Sequence, residues 1–170
     1  MLKTLRILVV LLALTAVGIF GRHYWHSLYH GPSMVPALTL TATDGSQINL
    51  QSMRGKPLLL NFWAPSCHDC LKEIPDLKTL QSEYQAKGFT VIAIAVPWDP
   101  PPAVLEIMTR KQFNFPVAID LTNEAQRAFG GVESVPTSFL IAPDGRLVKR
   151  IVDRVDMDAL RKQLNDWLGS

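Results

Sequence analysis

The chain has 170 residues, 48% of them hydrophobic and 19% charged, with 17 Lys and Arg against 15 Asp and Glu and two cysteines. That is enough apolar material for one domain with a sizeable core, which excludes intrinsic disorder, and too few cysteines for a multi-bridge scaffold or, unaided, a four-ligand zinc site. The charge is uneven: Lys3, Arg6 and Arg22 lie in a segment without acids, so the remainder carries 14 basic against 15 acidic residues and nothing suggests nucleic-acid binding.

From Ile7 to Phe20 the chain reads ILVVLLALTAVGIF, 14 uncharged residues behind Lys3 and Arg6, the pattern of a basic n-region and an apolar h-region. At about 1.5 Å per residue this run covers roughly 21 Å of a ~30 Å hydrocarbon core, so a span needs Leu2 to Arg6 and Gly21 to Trp25 to extend it. Only Ala16-Val17-Gly18 offers the small residues of a cleavage site, and it lies inside the apolar run. Residues 1–25 are therefore expected to be an uncleaved signal anchor with Lys3 and Arg6 in the cytoplasm, and 26–35 a linker. His23, His26 and His30 fall at i, i+3 and i+7, which could make a metal-binding stripe; beside Tyr24, Trp25 and Tyr29, an interfacial belt is the plainer account.

The body opens with LTLTATDGSQINL (38–50), two short alternating runs around Asp44-Gly45, a hairpin signature that reads as an appendage. Leu58 to Ala64 is a continuous apolar run between a turn and Pro65, as expected of a strand buried on both faces. A helix follows from Cys67 to Lys87, ended by Gly88 and kinked by Pro75, and then a second buried strand from Phe89 to Val96. The Pro-rich WDPPP opens a helix over Ala103 to Gln112; PVAID is a third strand and Glu124 to Phe129 a short helix. Strands over Thr137 to Ala142 and Leu147 to Val152 flank a Pro143-Asp144-Gly145 turn, and an amphipathic helix capped by Asp156 runs to Leu168. Crossover helices make the early strands parallel and the last hairpin adds antiparallel ones, which predicts an α/β domain with a mixed sheet over 36–170.

Cys67-His68-Asp69-Cys70 stands between a buried strand and a helix start. Unpaired backbone N–H groups and the helix dipole favour a thiolate there, which marks Cys67 as nucleophile. Cys70 lies one turn later on the same face, where its sulfur can close a Cys67–Cys70 disulfide and release a bound partner. His68, if protonated, pushes such a dithiol toward oxidising behaviour and Asp69 pushes the other way.

The run Asn61-Phe62-Trp63-Ala64-Pro65-Ser66 into the two cysteines, Glu73 and Pro75, and later Gly131-Val132, Val135-Pro136-Thr137 and Pro143-Asp144-Gly145, resembles the thioredoxin superfamily and within it the membrane-tethered TlpA/ResA/CcmG-like thiol-disulfide oxidoreductases. The resemblance implies a thioredoxin fold with an N-terminal hairpin and an inserted helix-strand over Trp98 to Asp120. It implies that Pro136 is a cis-proline opposite the cysteines, where Val135-Pro136 would present backbone groups for substrate pairing, with Trp63 also on the substrate side. Glu73 matches a carboxylate that manages the proton of the resolving thiol, although sequence alone would make it a solvated helix residue. No cofactor and no metal are expected. Asn61 stands where thioredoxins carry a buried Asp, Ser66 replaces the usual Trp before the first Cys, and Thr137 stands where CcmG-type proteins tend to have Glu. A Sco-type copper site would need a histidine far downstream, whereas every histidine lies at or before His68, and a peroxiredoxin would have Thr where this chain has Ala64.

The resulting expectation is a single-pass protein of the bacterial inner membrane with its catalytic domain in the periplasm or outside. It would be fed by a membrane thiol-disulfide transporter and would reduce disulfides of exported proteins such as apocytochrome c. The alternatives are a disulfide oxidase or isomerase, including copper- or oxidative-stress thiol repair, and, of another class, a tethered metal-binding module using the histidine stripe and the cysteine pair.

Overall fold

The computed structural model describes residues 33–169, together with Thr15 and Gly18, which are helical. The chain divides into two compact units, Met1–Gly31 and Pro32–Ser170. The expected signal anchor and the histidines at 23, 26 and 30 lie outside the described residues apart from Thr15 and Gly18. Among the described residues no helix is long and apolar enough to cross a membrane.

The second unit is built on a five-stranded sheet ordered β5-β4-β3-β6-β7. β3 (Leu58–Trp63) is central, with β4 (Thr90–Ala95) parallel on one side and β6 (Thr137–Ile141) antiparallel on the other. β5 (Val117–Ile119) runs parallel to β4, and β7 (Leu147–Val152) antiparallel to β6. All six residues of β3 are buried, as its unbroken apolar run requires of a strand covered on both faces.

Alternation along the strands divides the core in two. Leu59 and Trp63 of β3, with Val91, Ala93 and Ala95 of β4, pack against α1 (His68–Tyr84), α2 (Pro101–Lys111) and α4 (Met157–Leu168). Leu58, Leu60 and Phe62, with Ile92 and Ile94, face the other way, toward α3 (Glu124–Ala128) and the hairpin of β1 (Thr39–Thr41) and β2 (Gln47–Asn49). On that side Phe62, Phe129 and Phe139 pack with ring centroids 4.9 to 5.8 Å apart.

Three expectations change. The hairpin is no appendage: Leu38, Leu40 and Leu50 are at most 7% exposed within the second core, and Thr43 N donates to the Val117 carbonyl at 2.8 Å. The linker stops earlier, because Val35 N donates to Gly145 O at 2.8 Å and Leu147 N to Ser33 O at 3.0 Å, making 33–35 part of the domain. Two of the three prolines of WDPPP stand inside α2 and not before it: Pro100 is the N-cap, while Pro101 and Pro102 occupy the first turn, where a missing N–H costs nothing. α1 itself runs through Pro75, and a 3-10 turn at Gln85–Lys87 completes the helical stretch before Gly88 (φ 95°).

Candidate functional site

β3 delivers the chain through Ala64, Pro65 and Ser66 to Cys67, which is the N-cap of α1 at φ −85° and ψ 108°. Cys67 Sγ accepts from the Cys70 backbone N–H at 3.1 Å, so the sulfur takes one of the free donors of the first helical turn. Cys67 and Cys70 are joined as a disulfide with Cα atoms 5.3 Å apart. Their environments differ: Cys67 is half-buried while Cys70 is 2% exposed, so an incoming sulfur reaches Cys67 first.

The opposite wall comes from the loop before β6. The Val135–Pro136 peptide bond is cis, and the Val135 carbonyl oxygen lies 3.5 Å from Cys67 Sγ. Three bonds brace this loop: Asp153 N to Pro136 O at 2.9 Å, Thr137 Oγ1 to Ser134 O at 2.7 Å, and Arg150 Nη2 to Gly131 O at 2.8 Å. The Arg150 guanidinium also stacks 5.5 Å over the Phe139 ring.

Beneath the cysteines is a polar network in an apolar core. Glu73, one turn beyond Cys70 on α1, is 0% exposed and accepts from Val155 N at 2.6 Å and from Asn61 Nδ2 at 3.1 Å. Asn61 Nδ2 also donates to Ser138 Oγ at 2.9 Å, across the register that pairs the two residues on β3 and β6. Burial pushes the Glu73 carboxyl above the usual carboxylate range, against the opposing pull of the Val155 and Asn61 hydrogen bonds. Glu73 is therefore not the solvated helix residue its sequence position suggests. It is a buried carboxyl one helical turn from Cys70, held by the Val155 and Asn61 donors.

His68 and Asp69 are exposed on the first turn of α1, and Asp69 meets Lys72 Nζ at 3.4 Å, a surface pair that contributes little to stability. Trp63 does not face substrate. It is 1% exposed and packs against Phe113 with centroids 5.2 Å apart, because β3 alternation turns it to the α1 side of the sheet. Asp99, which no sequence pattern picks out, reaches across from the loop after β4: its Oδ2 accepts from Ser66 N at 3.1 Å and Ser66 Oγ at 2.8 Å. A carboxylate thus stands one residue before Cys67. Among the described residues no three His, Cys, Asp or Glu gather as a metal site.

Comparisons with known proteins fit this geometry. The Redoxin family model matches residues 31–165. The thiol-disulfide oxidoreductase ResA of Bacillus thuringiensis (strain Al Hakam) is 35% identical over 135 residues, covering 78% of this chain and 73% of that protein. ResA of Geobacillus thermodenitrificans is 29% identical over 163 residues, 94% of this chain and 92% of its own, a match that necessarily runs into residues 1–31. Among solved structures, a thiol:disulfide interchange protein of the thioredoxin family from Chlorobium tepidum TLS superposes with a TM-score of 0.73 at 31% identity, covering 81% of this chain and 97% of that one.

Proposed function

Because the chain belongs to the Redoxin family, in the TlpA/ResA/CcmG-like branch of the thioredoxin superfamily, and is a protein-disulfide oxidoreductase, we propose that it is a membrane-tethered reductase. In this reading it faces the periplasm or exterior and reduces disulfides of exported proteins, apocytochrome c among them. The observation that carries the direction is the set of carboxyls around the dithiol: Asp69 in the first helical turn, Asp99 on Ser66, and buried Glu73 beyond Cys70. Negative neighbours disfavour a thiolate, and a dithiol whose thiolate is poorly stabilised gives up its electrons more readily.

The reaction balances as two exchanges. Cys67 thiolate attacks one sulfur of the substrate disulfide, forming a mixed disulfide and releasing the other sulfur as a thiolate, which takes a proton from water. Glu73 then takes the Cys70 proton. The new thiolate attacks Cys67 Sγ and closes Cys67–Cys70, expelling the second substrate sulfur as a thiolate, to which Glu73 returns the proton. Two electrons pass to the substrate, and a membrane thiol-disulfide transporter returns them. The uncleaved anchor at 1–25 keeps the site near that donor.

Equilibration of the full chain with graded thiol buffers tests the direction. The expected potential is below about −250 mV, toward the thioredoxin value of about −270 mV. A value near the DsbA figure of about −120 mV overturns it in favour of an oxidase, the alternative that exposed His68 beside Cys67 favours. Thiol trapping from cells should likewise find both cysteines mostly reduced.

A further inference from the structure

The sheet edge that carries Cys67 is also where exposed apolar side chains gather. β3, β4 and β5 are parallel neighbours, so the chain leaves all three at one edge, toward Cys67, Trp98 and Leu121. β7 ends there too, since it is antiparallel to β6 and β6 to β3; its last residue, Val152, pairs with Thr137 beside Pro136. Six large hydrophobic residues are exposed among the described residues, and three stand on this edge: Trp98 at 52%, Leu121 at 64% and Val152 at 52%.

Trp98 is the one fastened to the cysteine segment. Val96 N donates to Trp63 O at 2.9 Å on one side of it, and Asp99 Oδ2 holds Ser66 N and Oγ at 3.1 and 2.8 Å on the other. Its flanks are also stiff, because Pro97 and Pro100 each fix a φ angle. A large indole is thereby held out to solvent on a turn bonded to both ends of the 63–66 segment that delivers the nucleophile. Half-buried Cys67 admits one sulfur of a polypeptide disulfide, so the residues flanking that sulfur must cross this edge. An exposed indole gains most by covering itself with an apolar neighbour, and pre-fixing it lowers the ordering cost of doing so.

We propose that Trp98 is a specificity-determining residue of the exchange reaction, receiving an apolar side chain adjacent to the substrate cysteine while Cys67 engages the sulfur. Asp99 and Ser66 are its positioning residues. The inference rests on the disulfide-exchange activity and not on its direction, so the same preference holds whether peptide disulfide is reduced or peptide dithiol oxidised.

Two disulfide peptides differing only in Leu or Ser beside the reacting cysteine, together with glutathione disulfide, supply the test on the full chain. For Trp98→Ser, kcat/KM on the Leu peptide falls about tenfold, through KM, while the Ser peptide and glutathione disulfide react as with the wild type. Trp98→Phe restores most of the loss. An equal loss on all three substrates would make Trp98 a mere support of the loop, and no loss on the Leu peptide would remove the contact; either overturns the proposal. A high redox potential with the Leu preference intact would strike the reductase direction alone. No exchange with any substrate by the wild type would remove the premise and the proposal together.

Discussion

At the edge of the sheet where β3 begins, the Pro143-Asp144-Gly145 turn takes its shape from its own residues. Gly145 takes φ 87°, its N–H donates to Ala142 O at 2.9 Å, and Asp144 Oδ1 accepts from Arg146 N at 2.9 Å, two residues away. At the opposite edge, where β3 delivers Cys67, the corresponding bonds join residues 33, 77 and 82 positions apart: Ser66 to Asp99, Asn61 to Ser138, and Val155 to Glu73. Distant residues do reach the turn, through Val35 N to Gly145 O and Gly55 N to Pro143 O, but its own shape is set by neighbours in sequence, whereas the three side-chain bonds at the functional edge exist only after the sheet and helices have assembled. The functional edge thus depends on the whole domain, and damage to it should show in chemistry before it shows in stability.

The largest effect expected is at that edge. Cys67→Ser should lower disulfide exchange by at least about a thousandfold, because no second sulfur is accessible to substrate. Cys70→Ser should still attack but stall as a mixed disulfide, visible as a stable adduct on a non-reducing gel. If Cys67→Ser retained turnover, Cys67 would not be the entering sulfur.

Next comes the buried carboxyl. Glu73→Gln should slow resolution by about a hundredfold near neutral pH, with the deficit shrinking as pH approaches the ordinary thiol value of about 8.5 and Cys70 ionises unaided. Stability should respond in a defined sense. A folded-state pKa raised above the unfolded value means that the Glu73 contribution is fully present in acid, below the ordinary carboxylate range. It is lost as pH rises from there through the raised folded value. Urea midpoints of wild type and Glu73→Gln between about pH 4 and about pH 8 should therefore show the wild type losing ground relative to the variant on the alkaline side. A constant gap across that window would argue against the raised value.

At the far edge the expectation reverses. Gly145→Ala places a side chain at φ 87° with its Cβ 3.0 Å from Arg54 Nε, and should cost about 1–2 kcal/mol, read as a lower Tm, while exchange kinetics stay at the wild-type level. A kinetic defect in that variant would erase the distinction between the two edges. Smallest is Lys72→Ala, which removes an exposed ion pair to Asp69 and should change stability by less than about 0.5 kcal/mol in a denaturant titration.

The same division explains what could be read from the sequence. The cysteine pair at a helix start, the strand runs, the Asp-Gly turns and the Asp156 cap rest on neighbours within a few positions, and pattern reasoning reaches them. Pro136 and Glu73 came from resemblance, which carries long-range information that spacing does not; helix periodicity alone left Glu73 in solvent. Asp99 had no signal, because nothing in WDPPP indicates that its carboxylate will meet Ser66 across two strand ends. For Trp63 the resemblance points to the substrate side, but strand alternation sends the side chain inward. The hairpin looked detachable because its apolar positions are few, yet Leu38, Leu40 and Leu50 close one face of the core.

Cys67 is at once the atom that exchanges electrons and the cap of α1. A helix held by its own redox centre ties two measurements into one thermodynamic cycle: the difference in unfolding free energy between the oxidised and reduced forms equals the shift in redox potential from that of the unfolded chain. A strongly reducing domain must therefore be the more stable in its oxidised form. Denaturation of the two forms would gauge its electron-donating power without a redox buffer.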